Sequence, residues 1–154
     1  MPDPNFSKVR FRERNALVAE SKVCTGCRTC EVICSLTHEG CVDPEKSRIL
    51  LKSNAFKGSF IPVVCRHCSD APCYYACPED AIEIDAVDGT VKIREEKCTG
   101  CRSCETACPY KVIGFDTDRQ KAFKCDLCGG DPQCVDWCPM NALGIVSFKG
   151  KIPK

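Results

Sequence analysis

The sequence predicts a small, loop-rich α+β fold made of two similar lobes, with short β-hairpins and short helices. The 154-residue chain contains 17 cysteines, far above ordinary usage. Sixteen of them fall into four runs of similar spacing, and short alternating segments with turn signals lie between the runs. The first run resembles the third and the second resembles the fourth. The chain is therefore read as an internal duplication whose lobes are related by pseudo-twofold symmetry.

The third run indicates which chemistry the cysteines perform. Its sequence is Cys98-Thr-Gly-Cys101-Arg-Ser-Cys104-Glu-Thr-Ala-Cys108-Pro109, the C-x2-C-x2-C-x3-C-P run of a bacterial ferredoxin. There, three closely spaced thiolates hold one 4Fe–4S cubane and the fourth cysteine ligates a neighbouring cubane. Zinc sites typically use C-x2-C pairs separated by a dozen or more residues. The spacing therefore favours iron–sulfur clusters over zinc and requires partner runs elsewhere.

The other three runs supply those partners. They are Cys24, Cys27, Cys30 and Cys34, then Cys65, Cys68, Cys73 and Cys77, and finally Cys125, Cys128, Cys134 and Cys138. The second run has two extra residues before its third cysteine, and the fourth run has three. Cys41 lies outside every run, which is more typical of a buried or surface thiol than of a ligand. We therefore expect four 4Fe–4S clusters.

Short elements are predicted between the runs. Residues 1–15 form a basic N-terminal arm, and a strand over 16–19 leads into the first run. The remaining predicted elements are hairpins over 47–64, 82–93 and 112–124, a short helix following the third cysteine of each run (for example 102–107), and a closing strand over 143–148. Asp88-Gly89 gives the strongest turn signal of the three hairpins.

The linkers favour one pairing of the runs. Cys77 is followed by the Asp88-Gly89 hairpin and then by Cys98, which is the continuous layout of a two-cluster ferredoxin. Residues 65–115 are therefore predicted to form a continuous dicluster lobe. The first and fourth runs then pair across it, so that 16–64 and 116–154 form a discontinuous dicluster lobe with a hairpin insertion at about 47–64.

Composition excludes several classes of protein. The formal net charge is +1, but each cluster with its four thiolates adds two negative charges, which brings the total to about −7. Lys and Arg are therefore interpreted as partners of the cluster charge rather than as a nucleic-acid surface. No signal peptide, membrane span, phosphate loop, nucleophile motif or flavin fingerprint is visible. We expect a soluble, cytoplasmic protein in a reducing compartment, where disulfides are rare.

These motifs carry a family resemblance over residues 16–148. All four runs resemble the four-cluster ferredoxin-type electron-transfer subunits of molybdenum- and tungsten-dependent oxidoreductases and some hydrogenases. Three strings look most similar to the small iron–sulfur subunit of tungsten-dependent aldehyde oxidoreductase: Cys24-Thr-Gly-Cys-Arg-Thr-Cys-Glu31, His38-Glu-Gly40 and Lys124-Cys-Asp-Leu-Cys-Gly-Gly-Asp-Pro132. One departure is Ser35, which follows the fourth cysteine of its run where proline is usual, and it puts only the local turn in doubt.

The resemblance implies which cysteines share each cluster. The first and fourth runs share one cluster pair, and the second and third runs share the other. The implied ligands are Cys24, Cys27, Cys30 and Cys138 for cluster 1; Cys125, Cys128, Cys134 and Cys34 for cluster 2; Cys65, Cys68, Cys73 and Cys108 for cluster 3; and Cys98, Cys101, Cys104 and Cys77 for cluster 4. Cys41 is not a ligand in this assignment.

The implied function is electron transfer, without an active site in this chain. Such a subunit carries electrons between a large catalytic subunit, here a tungsten or molybdenum pterin enzyme such as aldehyde oxidoreductase, and another redox subunit, a ferredoxin or a second copy of the chain. The alternatives are a free four-cluster polyferredoxin and a subunit of a hydrogenase or formate dehydrogenase complex. A structural or regulatory role is disfavoured because one cluster would suffice for it. No nucleic-acid partner and no direct membrane span are expected.

Two histidines lie close to the runs in sequence. His67 stands between two predicted ligands, so it could donate a hydrogen bond to a cluster sulfur and raise a reduction potential. The alternative, a solvated or backbone-bonded side chain, is the more common situation. For His38, which follows the first run, the sequence gives no more specific role.

Overall fold

The structure, a computed structural model, describes residues 14–148. In chain order its elements are β1 (Arg14–Ala19), α1 (Thr29–Glu39), β2 (Leu50–Asn54), β3 (Ser59–Val63), α2 (Pro72–Ala76), β4 (Ile82–Ile84), β5 (Val91–Ile93), α3 (Ser103–Ala107), β6 (Gly114–Asp116), β7 (Lys121–Phe123), α4 (Gln133–Asp136) and β8 (Leu143–Phe148). The longest has 11 residues, so the small, loop-rich α+β fold is confirmed. Residues 1–13 of the predicted arm lie outside the described residues. Within the described range, no helix is long and apolar enough to cross a membrane.

The strands pair into antiparallel two-stranded sheets: β1 with β8, β2 with β3, β4 with β5, and β6 with β7. The three predicted hairpins and the closing strand are thereby confirmed. In the β4–β5 turn, Gly89 has a φ of +69°, a conformation that glycine adopts without steric cost. The Asp88 side chain accepts a hydrogen bond from the N–H of Thr90 at 2.9 Å. The Asp88-Gly89 pair thus forms the predicted turn.

The order of elements repeats along the chain. The first series is β1, α1, the β2–β3 hairpin, α2 and β4, and the second is β5, α3, the β6–β7 hairpin, α4 and β8. The strand pairing is equivalent in the two series. The last strand of the first series, β4, pairs with the first strand of the second, β5, and the last strand of the second series, β8, pairs with the first strand of the first, β1. The hairpin predicted as an insertion therefore holds the place that β6–β7 holds in the second series. A pseudo-twofold relation between the lobes stays a prediction.

The buried residues form two small cores. Core A contains Leu17, Cys34, Ile49, Val64, Leu127, Cys134 and Leu143. Core B contains Cys65, Ala71, Ile82, Val91, Cys104, Cys108, Val112, Ile113 and Ala122. Cys125 packs against both cores. The predicted lobe boundaries stay predictions, and Ala122, which they place in the discontinuous lobe, packs in core B.

Arg14 joins the two halves of the chain. The sequence interpretation counted it in the basic arm, but it begins β1 and is only 2% exposed. Its guanidinium donates to the carbonyl oxygens of Gly89 at 2.9 Å and Cys68 at 3.3 Å. The N–H of Asn15 donates to Asp88 O at 3.1 Å. These bonds fix the start of β1 on the β4–β5 turn, so this strand begins two residues before the predicted start at Ala16. The arm over residues 1–15 stays a prediction.

Candidate iron–sulfur centres

The first and third runs begin with the same backbone turn. Gly26 and Gly100 have φ values of +75° and +78°, and the arginines two residues later have φ 61° and ψ 8° in both runs. A Cβ on Gly26 would lie 2.4 Å from the ring of Phe60, and one on Gly100 would lie 2.4 Å from a carbonyl oxygen of the β6–β7 turn. Side chains at these two positions would therefore be both strained and blocked. The shared Cys-Thr-Gly-Cys-Arg sequence thus folds into one local structure twice.

Each α-helix carries the third cysteine of its run. Cys30 lies in α1, Cys73 in α2, Cys104 in α3 and Cys134 in α4. Helix α1 packs against α4, and α2 packs against α3. The first run therefore meets the fourth, and the second meets the third.

Two of the predicted ligand sets each line a pocket. The Cys24 pocket is lined by Cys24, Cys27, Cys30 and Cys138, with Leu51, Pro62, Met140 and Leu143 among its walls. The Cys65 pocket is lined by Cys65, Cys68, Cys73 and Cys108, with His67, Val91, Ile113 and Lys124 among its walls. These are the sets assigned to clusters 1 and 3.

The other two sets are close enough to interact electrostatically. Burial raises the pKa of the Cys134 thiol, and the nearby Cys125, Cys34 and Cys128 raise it further. Burial likewise raises the pKa of Cys104 to about 11, with added contributions from Cys98, Cys101 and Cys77. The structure thus brings together the members of all four sets, while the ligand assignment itself stays a prediction.

The chemistry of these groups fits 4Fe–4S clusters. Burial raises the pKa of Cys30 and of Cys73 to about 11, so these thiols need a nearby cation to become thiolates at neutral pH. The iron–sulfur core would supply that positive charge. Backbone N–H groups also donate to the sulfurs of Cys34, Cys77 and Cys138, each at 3.3 Å. Such donors stabilise sulfur that carries negative charge.

Comparison with known families places the chain. Residues 56–147 match the family model described as a 4Fe-4S dicluster domain, and residues 21–37 match that of a 4Fe-4S binding domain. This chain is a member of the 4Fe-4S dicluster family. Membership confirms the predicted 4Fe–4S cofactors.

Relatives of this dicluster protein have electron-transport names. It is 44% identical to "Aliphatic sulfonate oxidoreductase, polyferredoxin-like subunit" of Pyrococcus furiosus, over 88% of this chain and 80% of the relative. It is 35% identical to "Electron transport protein HydN" of Escherichia coli, over 82% of this chain and 85% of the relative. These similarities confirm the predicted non-catalytic electron-transfer role.

A solved structure also resembles the dicluster protein. This structure is "Active site complex BamBC of Benzoyl Coenzyme A reductase as isolated", with a TM-score of 0.56 and 25% sequence identity. The similarity covers 93% of this chain and 82% of the matched chain.

The cysteines of the dicluster protein differ in exposure. Cys27 of the cluster 1 set and Cys101 of the cluster 4 set are exposed. Thr29 donates a hydrogen bond to Cys27 Sγ and Ser103 Oγ accepts one from Cys101 Sγ, each at 3.4 Å, and these contacts lower the pKa values of the two thiols. Cys41 is exposed as well, and its predicted exclusion from the ligand sets stays a prediction.

Cysteines of the predicted cluster 2 and cluster 3 sets lie near each other between the two cores. Burial raises the pKa of Cys125 to about 12, and the nearby Cys65 thiol is the next largest cause. Beside them the buried Lys124 ammonium donates to the carbonyl oxygens of Val91 and, at 3.0 Å, Cys125. Lys124 directly precedes the predicted ligand Cys125 in sequence, but no sequence signal indicates its burial. This junction connects the two cores of the dicluster protein.

His38 lies beside the cluster 2 cysteines. Its Nε2 is 3.3 Å from Asp126 Oδ1 and 3.8 Å from Cys128 Sγ. Burial, aided by Arg48, lowers the pKa of His38. His38, Asp126 and Cys128 offer three ligand atoms within 4.8 Å of one another. Since Cys128 belongs to the cluster 2 set, we interpret this group as part of the surroundings of that cluster rather than as a separate metal site.

Proposed function

We propose that the chain is the electron-transfer subunit of an oxidoreductase complex and that its four clusters form one path in the order 1, 2, 3, 4. The observation that carries the proposal is the arrangement of the four cysteine groups. An exposed cysteine, Cys27 or Cys101, belongs to each outer group, and Cys125 meets Cys65 between the inner groups. Clusters exchange electrons by tunnelling, which requires short distances between neighbouring clusters and matched reduction potentials rather than contacts with a substrate.

The proposed ligand sets are those implied by the family resemblance, with clusters 1 and 2 in the discontinuous lobe and clusters 3 and 4 in the continuous one. Packing of α1 on α4 and of α2 on α3 supports this pairing. The repeated element order and the β1–β8 and β4–β5 pairs support a pseudo-twofold relation between the lobes.

The proposed partner is a large catalytic subunit. The Pyrococcus furiosus relative is named as a subunit of an oxidoreductase. A further Escherichia coli relative, 33% identical over 84% of this chain and 80% of its own length, is named "Formate hydrogenlyase subunit 2". The string matches of the sequence favour a tungsten or molybdenum pterin enzyme such as aldehyde oxidoreductase. A free polyferredoxin is the second candidate, since HydN is named simply as an electron transport protein.

The two ends of the path offer different surfaces. Val23, Trp137 and Met140, each adjacent to or two residues from a cluster 1 cysteine, are exposed large apolar side chains. At the other end, Ser103 lowers the pKa of Cys101, and the exposed Glu79 lies close enough for its charge to oppose this lowering. Apolar anchors suit a lasting interface, whereas charge suits a transient encounter. We therefore propose that the cluster 1 end docks on the catalytic subunit and the cluster 4 end faces the acceptor, all within the cytoplasm.

Anaerobic purification from the native host tests the proposal. The chain should co-elute with a large redox enzyme and contain about sixteen irons and sixteen acid-labile sulfides. Near eight irons, or stoichiometric zinc, would contradict the four-cluster path. Elution of the fully loaded chain without any partner would favour the free polyferredoxin.

Two surface variants test the orientation of the path. Val23→Asp should weaken binding to the co-eluting enzyme because it places a charge in the apolar surface. Glu79→Lys should leave that complex intact and slow electron transfer to the acceptor. The opposite pattern would mean that the path runs the other way round.

A further inference from the structure

The His67 side chain has its two ring nitrogens in different situations. The residue is 1% exposed. Its Nδ1 accepts a hydrogen bond from the N–H of Val91 at 3.0 Å. A ring nitrogen that accepts a hydrogen bond carries no proton, so the proton of this imidazole is on Nε2. The backbone of β5 thus fixes the tautomer of His67.

The Nε2–H group of His67 is a buried donor. It has no hydrogen-bond partner among residues 14–148. A buried donor without a partner is destabilising, and nearly all buried polar groups in folded proteins have a hydrogen-bond partner. Because His67 lines the Cys65 pocket together with four cysteines, the missing acceptor is expected inside that pocket.

We propose that Nε2–H of His67 donates a hydrogen bond to a sulfur atom of cluster 3 and thereby raises the reduction potential of that cluster. The proposal rests on the ligand set Cys65, Cys68, Cys73 and Cys108 proposed above. Reduction adds one electron to the cluster without forming or breaking a bond. A donor to sulfur stabilises the added negative charge, and hydrogen bonds of this kind are among the factors that set cluster potentials.

The internal duplication provides a natural comparison for His67. In the fourth run, Leu127 stands where His67 stands in the second, between the first and second cysteines. Leu127 is 2% exposed and has a φ of +57°, and His67 has a φ of +45°. Both side chains therefore enter a core from the same left-handed backbone position. Cluster 2 thus has an apolar side chain where cluster 3 has a donor, and leucine is accommodated there.

His38 does not have the same geometry. Its Nε2 lies 3.3 Å from a carboxylate oxygen of Asp126, nearer than the 3.8 Å to Cys128 Sγ. The nitrogen therefore has a partner other than sulfur, and His38 serves as the matched control. The chain contains two histidines, His38 and His67, so a histidine-specific isotope label reports on these two sites.

The experiment uses the full chain, purified anaerobically with all its clusters, as wild type, His67→Leu, His67→Gln and His38→Ala. Midpoint potentials are measured by redox titration followed by electron paramagnetic resonance. His67→Leu should shift one midpoint to lower potential and leave the others unchanged. In His67→Gln the amide can donate a hydrogen bond from a similar position, so this variant should recover part of the potential that is lost in His67→Leu. His38→Ala should leave that midpoint unchanged.

A spectroscopic measurement tests the hydrogen bond without altering His67. In the His38→Ala chain labelled with 15N-histidine, a reduced cluster should show coupling to a 15N nucleus and to a proton that exchanges in D2O. A histidine that is merely structural would lower stability when replaced but would give no coupling and no change in potential. If His67→Leu loses iron, this measurement decides the question.

Two results would overturn the proposal: absence of the 15N coupling, or unchanged midpoints in a fully loaded His67→Leu chain. The ligand set is tested separately with Cys73→Ser, which should lose or convert one cluster. Full iron retention in Cys73→Ser would show the ligand set to be wrong, whatever the His67 variants do.

Discussion

Helices α1 and α3 begin alike and end differently. Both follow the same Cys-Thr-Gly-Cys-Arg turn, but α1 has 11 residues and α3 has five. In α3 the chain continues with Cys108-Pro109, and the backbone of Cys108 is extended, as the residue before a proline tends to be. In α1, Ser35 takes the place of that proline. Its hydroxyl donates to Val32 O at 3.0 Å and accepts from the N–H of Asp43 at 3.1 Å.

The extra length of α1 produces contacts that α3 cannot make. In the additional turns of α1, the carboxylate of Glu39 pairs with Arg48 and with Arg119, which lies in the β6–β7 turn. The helix also carries His38 to Asp126 of the fourth run. The duplicated part of the sequence thus builds each set of cysteines, whereas the part that differs between the copies connects one half of the chain to the other.

The prediction with the largest expected effect concerns the cysteine that α1 and α3 share, the third of its run. Cys30 and Cys104 are the third cysteines of equivalent runs, so Cys30→Ser and Cys104→Ser should each lose or convert one of about four clusters. Cys41→Ser should keep its full iron content because Cys41 lies outside every run. Anaerobic iron and sulfide analysis measures all three variants. Equal iron loss in all of them would contradict the proposed ligand sets.

The second prediction exchanges the residues that make the helices differ. Ser35→Pro should lower the free energy of unfolding by about 3 kcal/mol, because a proline inside a helix lacks an N–H and clashes with the preceding turn. Denaturant unfolding of the iron-loaded protein, followed by cluster absorbance, measures the effect. Ser35→Ala is the control and should cost about 1 kcal/mol for its lost hydrogen bonds. If Ser35→Pro and Ser35→Ala lowered the free energy of unfolding equally, the length of α1 would not contribute to stability.

Several features were predictable from sequence because they depend on neighbouring residues. The Asp88-Gly89 hairpin and the turn preceding α3 are of this kind. The sequence predicts that Ser35 affects the local turn alone, and this prediction is wrong because the helix continues to Glu39. The absence of a proline at position 35 permits a longer helix. The hydrogen bond from the N–H of Asp43 to the Ser35 hydroxyl, however, is not predictable from the sequence. The burial of Arg14 is not predictable from neighbouring residues, because its acceptors, Cys68 O and Gly89 O, are 54 and 75 residues away in the sequence.

The third prediction concerns the glutamates at the start of each helix. Glu31 is buried; its carboxylate accepts from the Leu51 N–H and from Arg28, both at 2.8 Å. The Glu105 side chain is 38% exposed and pairs with Arg102 at 3.1 Å. Glu31→Ala should therefore cost about 1–3 kcal/mol, since it leaves a buried N–H without an acceptor. Glu105→Ala should change stability by less than about 0.5 kcal/mol.

Thermal unfolding of the two alanine variants side by side measures this difference. If both variants lost the same stability, the Glu31 bond to β2 would not be what holds the β2–β3 hairpin on α1. Loss of iron in Glu31→Ala without loss of stability would point to a role at the cluster instead.

The smallest expected effect lies in the aromatic rings beside the two glycine turns. Phe60 lies against Gly26 and Phe115 lies beside Gly100. The guanidinium carbon of Arg102 is 4.1 Å from the centre of the Phe115 ring, a cation–π contact worth about 0.5 kcal/mol at an exposed site. Arg102 and the equivalent Arg28 each pair with a glutamate of their own helix, but the partner of Arg28, Glu31, is buried, whereas the partner of Arg102 is exposed.

A pair of double-mutant cycles isolates that contact. Arg102→Gln combined with Phe115→Leu should give a coupling energy of about 0.5 kcal/mol in denaturant unfolding. Arg28→Gln combined with Phe60→Leu should give a coupling energy near zero, because Arg28 is held by a buried carboxylate, that of Glu31. Equal coupling in the two cycles would show that both halves stack arginine on phenylalanine in solution. The two copies would then differ through Ser35 and Glu31, and no longer through these rings.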